Sequence, residues 1–268
     1  MASKSTLSAK NLETLGAGRL AELLIEISTG SAVAKRRLRL ELAGAQSPKD
    51  AAREVAKRLT SLARARSLVN WQNRKLLVTD LQSQLRAIKD QIAPSDPTEA
   101  LALAWRFMQL ATPLFERCDD GSGTVIGVFH EACALLGEIA LVAAPKPDRL
   151  ADAVIDALRD NGSGQYDGLI GTLAPALGAE GLSHLQQRIN GLAATPVAIP
   201  PKTAWEAVGY GSGGAVYAHQ IEERARQSLV HHALMDIADA MAKLAARTRA
   251  NIAFTFAPNN AALSTLLT

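Results

Sequence analysis

The sequence is poor in aromatic residues and in cysteine. Aromatic side chains make up 4% of the 268 residues, so a core must be built mainly from leucine, isoleucine, valine and alanine. Segments rich in leucine and alanine have high helix propensity and lack the β-branched and aromatic enrichment of strands, which argues against a β-sandwich. The two cysteines, Cys118 and Cys133, are too few for a disulfide framework.

Targeting and catalytic signals are also missing from the sequence. The N-terminus has no apolar stretch of the signal-peptide kind, and the apolar runs are interrupted by Glu138 or end at prolines before they reach the length of a bilayer span. We therefore expect a cytoplasmic protein with no membrane partner. The sequence contains no Walker motif, dinucleotide fingerprint or nucleophile elbow, so it predicts no catalytic residue and no cofactor.

Charge is modest in total but unevenly distributed. The formal net charge is +3, yet residues 1–93 carry 17 lysines and arginines against 8 acidic residues, whereas the remainder carries 12 against 18. The first third is thus basic, at +9, and the rest is acidic, at −6. This asymmetry indicates either an anionic partner or two parts that complement each other electrostatically.

Proline and a preceding cap residue mark the helix starts. Ser47-Pro48 and Asp96-Pro97 each place a capping side chain before a proline at the first helical position, and Pro147 opens a further helix. These prolines lie 49 and 50 residues apart, and each begins an apparent two-helix unit. The spacing predicts an all-α fold of stacked antiparallel helix pairs, an α-solenoid or HEAT-like right-handed superhelix without a significant β-sheet.

The apolar pattern predicts the individual helices and their roles. The nearly continuous apolar run at 125–144 is typical of a central helix covered on most sides. Strict alternation at 36–42 is compatible with a strand, but no strand partner is visible nearby and we expect a helix. Pro113 should kink the helix that follows Asp96. A first helix is indicated by apolar residues at helical spacing: Leu12, Leu15, Leu20, Leu23, Leu24 and Ile27.

Composition also suggests how the chain is divided. We expect a helical repeat domain at 1–195, basic over 1–93 and acidic over 94–195. Prolines and glycines at 196–215 indicate a linker or loop, and residues 216–249 have the pattern of a long helix. The last segment, 250–268, carries no charge and is expected to be a poorly ordered tail.

Three segments carry a resemblance to a known family. They are LAELLIEISTGSAVAKRRLRLELAG from Leu20, FERCDDGSGTVIGVF from Phe115 and GQYDGLIGTLAPALG from Gly164. Over about 4–240 the chain resembles a bacterial, mainly proteobacterial, family classed only as a domain of unknown function. The resemblance implies helical repeats and no assigned activity. Relatives continue into further helices beyond Met241, so it also implies a copy truncated or frame-shifted near its end.

Three Gly-Ser-Gly turns, at 121–123, 162–164 and 211–213, are candidate ligand sites. Loops at equivalent ends of successive helix pairs could form one binding edge. The simpler interpretation, which we favour, is that aspartate and serine cap helices while glycine makes the turn. The candidate residues of this edge are Asp119, Asp120, Gly121, Ser122, Asp160, Asn161, Tyr166 and Asp167.

Two further clusters have the residue types of a metal or acid–base site. Cys118, His130 and Cys133 are weak zinc candidates, but a structural zinc needs a fourth ligand that the sequence does not supply. We therefore predict buried thiols and no metal. The long C-terminal helix carries two histidines and two aspartates, and a solvated helix face is the favoured interpretation; the residues are His231, His232, Asp236 and Asp239.

Basic residues of the first third could contact an anion or a nucleic acid. Their spacing places four cations along one side of a single helix and four more in a cluster nearby, as a phosphate backbone would require. Interspersed Asp50 and Glu54 and the scarcity of aromatic residues, with only Trp71 to stack a base, argue against it. The residues are Lys35, Arg36, Arg37, Arg39, Lys49, Arg53, Lys57 and Arg64.

These observations favour a non-enzymatic helical scaffold or adaptor that binds another protein through its repeat surface. One alternative is a nucleic-acid-associated protein that uses the basic N-terminal helices. The second is a metal-dependent or small-molecule-dependent enzyme at the Asp119 and Asp160 turns.

Overall fold

Helices make up nearly all of the regular structure. The computed structural model describes residues 6–211 and 214–255, without the side chains of 251–255, and within these residues the strands are confined to one two-stranded sheet. The predicted all-α class is therefore confirmed, while the solenoid arrangement stays a prediction. The chain divides into two compact units, Met1–Val128 and Phe129–Thr268, a division that lies elsewhere than the predicted boundary after residue 195.

The N-terminal unit contains seven helices, a π-helix and the start of an eighth helix among its described residues. They are α1 (Ala9–Glu13), α2 (Gly16–Ser28), α3 (Ala32–Gln46), α4 (Pro48–Arg64), α5 (Trp71–Arg86), the π-helix (Ala87–Ile92), α6 (Pro97–Met108), α7 (Ala111–Phe115) and the start of α8 (Thr124–Ala143). Helix α4 packs against α3, the π-helix and α6, and its buried residues are Ala51, Ala52, Val55, Leu59 and Leu62.

Side-chain caps begin the helices where the sequence predicts them. The Ser47 hydroxyl accepts a hydrogen bond from the Asp50 N–H at 3.1 Å, and α4 starts at Pro48. An Asp96 carboxylate oxygen does the same for the Glu99 N–H at 2.9 Å. Proline loses nothing at the first helical position, where its missing N–H would have no partner.

The alternating segment in α3 is helical, as predicted. Ser31 caps the helix, with its hydroxyl 3.2 Å from the Ala34 N–H. On a helix the alternating leucines point in different directions, so Leu40 is buried whereas Leu42 is 65% exposed.

In place of the kink predicted at Pro113, the helix is interrupted about four residues before this proline. Proline at 113 supplies no N–H for the carbonyl of Gln109, and α6 ends at Met108 before the short α7 begins at Ala111. Loss of that hydrogen bond explains why the chain breaks there.

One buried carboxylate organises polar side chains inside the N-terminal unit. Asp80 of α5 is 3% exposed. It accepts a hydrogen bond from Arg58 Nε at 2.8 Å and a second, shorter one from the same guanidinium, and Arg36 lies 3.4 Å away. Arg36, predicted as an anion contact, is therefore half of a structural ion pair.

The C-terminal unit consists of helices and a β-hairpin. It contains the rest of α8, followed by α9 (Pro147–Arg159), α10 (Leu169–Ala194), a short 3-10 helix (Lys202–Ala204), β1 (Ala207–Gly211), β2 (Gly214–Tyr217) and α11 (Ala218–Thr255). Helix α10 contacts both α9 and α11, and the two strands pair antiparallel.

Helix α8 is the apolar segment predicted to be central. Its side chains are largely buried; Val125, Phe129 and Leu136 are fully so, although Val142 near its end is 70% exposed. Among the described residues it is also the one helix long and apolar enough to span a membrane, with a mean hydropathy of 1.8. Buried core helices share these properties, so this is weak evidence for a span, and the absence of a membrane partner stays a prediction.

Glycine allows a kink within α10 and a close contact between α8 and α10. Gly178 has φ 60° and ψ −170°, a conformation essentially restricted to glycine, and it kinks the helix. Gly137 of α8 faces Thr172: a Cβ atom at this glycine would lie 2.8 Å from the Thr172 carbonyl oxygen. The two helices therefore approach so closely that any side chain at 137 would force them apart.

The region predicted as a linker contains regular structure. The 3-10 helix and β1 fall within 196–215, and the Trp205 ring contacts the rings of Tyr217 and His219 in tilted arrangements, with centroids 4.8 and 5.0 Å away. The predicted long helix is present as α11 and extends to Thr255. Residues 256–268, most of the predicted tail, lie outside the described residues.

Candidate functional site

The first Gly-Ser-Gly turn caps α8. One Asp120 carboxylate oxygen accepts hydrogen bonds from the Val125 N–H at 2.9 Å and the Ile126 N–H at 2.8 Å. Asp119 accepts one from the Gly121 N–H at 3.1 Å, and Gly123 adopts φ +68°. A carboxylate of the protein already binds the helix N-terminus, which supports the capping interpretation for Asp119, Asp120, Gly121 and Ser122.

The second turn is held in shape by its own side chains. The Asn161 side chain accepts a hydrogen bond from the Tyr166 N–H at 2.8 Å and donates one to Asp167 Oδ1 at 2.9 Å. Gln165, which is 1% exposed, accepts from the Ser163 N–H and donates to the Asp160 carbonyl. The turn thus presents Asp167 at a fixed position. The third turn has residues 212 and 213 outside the described part of the chain.

Helix α8 contacts the second turn through His130. His130 Nε2 lies 3.1 Å from the Gly164 carbonyl oxygen, and Tyr166 is 2% exposed. Burial raises the pKa of the Tyr166 hydroxyl, and burial raises the pKa of the Cys133 thiol to about 11. Both groups are neutral at physiological pH and serve as core residues.

The second turn forms one wall of a cleft of about 1000 Å³. The other walls come from the ends of α9 and α10, from Val197 and from one side of α11. The lining residues are Leu158, Arg159, Asn161, Gly162, Tyr166, Asp167, Gly168, Leu192, Thr195, Val197, Glu222, Ala225, Arg226, Ser228, Leu229, His232, Ala233 and Asp236. Three of the predicted turn residues therefore meet two of the residues predicted as a solvated helix face.

The charges of the cleft are unbalanced. Its two arginines have partners: Arg159 lies 3.6 Å from Asp156, and Arg226 lies 2.6 Å from Glu223. Within the described residues, the three lining carboxylates form no ion pair; they are Asp167, Glu222 and Asp236. His232 donates a hydrogen bond from Nδ1 to the Ser228 carbonyl at 2.7 Å, and its other ring nitrogen, Nε2, takes no part in this bond. The cleft is thus an acidic site with apolar walls.

Arg226, which lines the cleft, and its partner Glu223 join α11 to the end of α10. Arg226 donates to the carbonyls of Leu192 and Ala193 at 2.7 and 3.1 Å and so caps the C-terminus of α10. Glu223 receives hydrogen bonds from this guanidinium and, at 3.1 Å, from the Val197 N–H. The hydrogen bond from Arg226 lowers the pKa of Glu223 to about 2, with a smaller contribution from Val197.

We predict that the packing of α11 on α10 weakens at acidic pH because Glu223 becomes protonated there. An unfolded glutamate titrates near pH 4.3, so the stabilisation should be complete above about that pH and decline as the pH falls towards 2. In a chain with Trp71 and Trp105 replaced by phenylalanine, thermal unfolding followed through Trp205 fluorescence should show a lower midpoint at pH 7 and a shallower acid dependence when Glu223→Gln is added. Glu222→Gln is the neighbouring control, and equal acid profiles for both variants would contradict this role.

Half of the predicted cations are engaged with carboxylates. Arg36 binds Asp80, Arg37 lies 2.9 Å from Glu41, Arg53 lies 2.9 Å from Asp50, and Lys57 lies 3.9 Å from Glu54. The other four are exposed and make no ion pair in the described part of the chain; they are Lys35, Arg39, Lys49 and Arg64. Lys49 and Arg53 line a second cleft of about 610 Å³, but Asp96 and Glu99 line it as well. The nucleic-acid alternative stays a prediction, with fewer available cations than the sequence suggests.

The metal candidates do not converge. Across 6–211 and 214–250, no three His, Cys, Asp or Glu side chains lie close enough together to hold a metal ion. Cys118 and Cys133 are buried free thiols, whereas His130 is exposed. In α11 the rings of His231 and His232 contact edge to face, and Asp239 pairs with Lys243 at 2.7 Å.

A comparison with protein families gives a match over most of the chain. The model of a family described as "Family of unknown function (DUF6880)" matches residues 2–248. A search of curated proteins and a search of solved structures found no match.

Proposed function

The chain belongs to the family of unknown function (DUF6880), and we propose that it is a non-enzymatic helical scaffold that binds a basic segment of a partner protein in the cleft of its C-terminal unit. The family membership agrees with the resemblance drawn from the sequence and assigns no activity. The proposal rests on one observation: the cleft is lined by three carboxylates that lack ion-pair partners among the described residues, together with leucine, valine and alanine side chains.

Lysine and arginine side chains match this combination. Each has an apolar stem that packs along hydrocarbon surface and a charged head that binds carboxylates. Leu158, Leu192 and Leu229 line the cleft and offer hydrocarbon surface to a stem, while Asp167 and Asp236 offer carboxylates to a head. The volume of about 1000 Å³ can hold several side chains of a peptide.

Hydrogen bonds within the protein hold two walls of the cleft in place. The self-bonded turn holds Asp167, and the Arg226 cap holds α11 against the end of α10. A peptide entering the cleft would therefore not have to order these elements, which reduces the entropic cost of binding.

We expect the double variant Asp167→Asn/Asp236→Asn to bind a basic peptide about tenfold more weakly than the wild type, because two partly solvated charge contacts are lost at less than about 1 kcal/mol each. The probe is a fluorescein-labelled peptide of arginine, lysine and leucine, titrated with the full chain and followed by fluorescence anisotropy. The charge-reversed peptide, with glutamate at every basic position, should not bind.

Asp239→Asn/Asp148→Asn is the matched control, since it removes the same charge from the same unit at residues that do not line the cleft. Equal losses in the two double variants would reduce the effect to overall charge and overturn the proposal. A photo-crosslinker in place of Ser228 should then capture, from extract of the native host, partner peptides in which basic and apolar residues alternate closely.

A further inference from the structure

Helix α2 exposes an apolar face of the kind that is normally buried. Leu20, Leu23, Leu24 and Ile27 lie within about 100° of arc on this helix. Such a face normally packs against the core. Within the described part of the chain none of the four is buried: Leu20 and Leu23 are half-buried, Leu24 is 50% exposed and Ile27 is 72% exposed.

The helix has little else to hold it in place. It packs against the short α1 and against α3, and Ser28 is its one buried residue among those described. Leu12 and Leu15, just before it, are 37% and 46% exposed. A contiguous apolar surface of this kind marks an interaction site in a folded protein.

From this surface we infer that α2 pairs with α2 of a second copy of the chain, in antiparallel orientation about a two-fold axis. An isologous interface must be self-complementary, so each residue on one helix must suit the residue that symmetry places opposite. In an antiparallel pair centred between Leu23 and Leu24, Leu20 faces Ile27 of the second copy, and Leu23 faces Leu24.

The charged flank of the helix has the same self-complementarity. Arg19 and Glu26 lie on one side of the apolar face, two turns apart, and helices that pair antiparallel bring like flanks together. Arg19 already lies 2.9 Å from Glu22 of its own helix, an exposed pair that leaves the other guanidinium donors for a second carboxylate. Arg19 of one copy therefore lies within about one turn of Glu26 of the other, twice in each dimer. In a parallel pair opposite flanks would meet, so Arg19 and Glu26 would both face the uncharged flank of the other helix and this pairing would be lost.

The size of the face sets the strength of the association. One helix face is small compared with the roughly 800 Å² that each partner buries in a standard interface, so we expect a weak dimer that dissociates on dilution. Ile27→Asp should weaken the dimer by at least about tenfold, because an unpaired carboxylate would be buried at the contact.

Sedimentation equilibrium of the full chain over a range of concentrations measures this directly. Ile25→Asp is the control: Ile25 is 68% exposed on the same helix but lies about 150° away from the middle of the face. It should leave the dissociation constant unchanged, and circular dichroism should confirm that both variants fold. A monomer at every concentration, or equal weakening by both variants, would overturn the inference.

Charge exchange tests the orientation. Arg19→Glu and Glu26→Arg should each weaken the dimer by about two- to fivefold at low salt, and the double exchange should restore wild-type affinity. If the double exchange is no better than the single ones, the antiparallel pairing is wrong. The dimer contact lies on the N-terminal unit, so its failure would leave the peptide cleft untouched, and the reverse also holds.

Discussion

Asp80→Ala is expected to destabilise the N-terminal unit by about 3 kcal/mol, because it leaves the Arg58 guanidinium, which is 19% exposed, without its buried carboxylate. The same change removes the partner of Arg36 and one acceptor of the Gln84 amide, which lies 3.4 Å from Asp80. Asp80 therefore differs from the surface carboxylates of the basic region, whose pairs contribute little.

Urea unfolding of the full chain can isolate this effect. Replacing Trp205 by phenylalanine leaves Trp71 and Trp105 as reporters of the N-terminal unit. Asp90→Ala, at an exposed carboxylate of the π-helix, should change the free energy of unfolding by less than about 0.5 kcal/mol. Asp80→Leu combined with Arg58→Met should recover much of the loss, since it removes both members of the more buried pair and leaves only Arg36, which is 33% exposed, without its partner. Equal effects of Asp80→Ala and Asp90→Ala would contradict the assignment.

Gly137→Ala should destabilise the C-terminal unit by about 2 to 3 kcal/mol. The added Cβ would lie 2.5 Å from Thr172 Cγ2 and 2.8 Å from the Thr172 carbonyl oxygen, so α8 and α10 would have to move apart. A backbone oxygen cannot rotate out of the way, which makes this cost larger than that of an ordinary small overpacking.

The measurement uses Trp205 fluorescence during urea unfolding, with Trp71 and Trp105 replaced by phenylalanine. Gly171→Ala is the matched control on the facing helix: no atom lies within 4 Å of its Cβ position, and the change should be neutral or stabilising by up to about 1 kcal/mol. Adding Thr172→Ser to Gly137→Ala should restore part of the stability, because the methyl conflict disappears while the conflict with the carbonyl remains. No loss in Gly137→Ala would show that the two helices are free to separate.

Local signals in the sequence were sufficient for most of the helices. Ser47-Pro48 and Asp96-Pro97 act through side chains three residues from their partners, so a reader of the sequence can find them. The hairpin was missed although its signal is present: Val208, Tyr210, Val216 and Tyr217 surround a glycine-rich turn, as in many hairpins. The scarcity of strand-forming residues elsewhere outweighed this short pattern.

The sequence predicts the turn and the helix face of the candidate cleft separately, but not that they line the same cleft. Asn161, Tyr166 and Asp167 were recognised as a turn, and His232 and Asp236 as neighbours on a helix. Their meeting depends on the packing of α11 against α10 and on the Arg226 cap, which joins residues more than thirty positions apart. Arg159, Glu222 and Ser228 carried no distinguishing sequence signal, because charged and hydroxyl side chains are ordinary on exposed helices.

The uncovered face of α2 shows what periodicity leaves undecided. Leu20, Leu23, Leu24 and Ile27 correctly predicted an amphipathic helix. The spacing of apolar residues specifies which side of a helix avoids water, but not whether the same chain or another one covers it. That information lies in the tertiary contacts alone.

The Arg226 cap has a consequence for the segment between α10 and α11. Because Arg226 and Glu223 join the start of α11 directly to Leu192 and Val197, the ends of the intervening hairpin are held together independently of the hairpin itself. Lengthening a loop whose ends are already clamped costs only a slowly growing entropy. The hairpin is accordingly a position at which the chain can accept inserted residues, or a label, while the helices on either side keep their alignment.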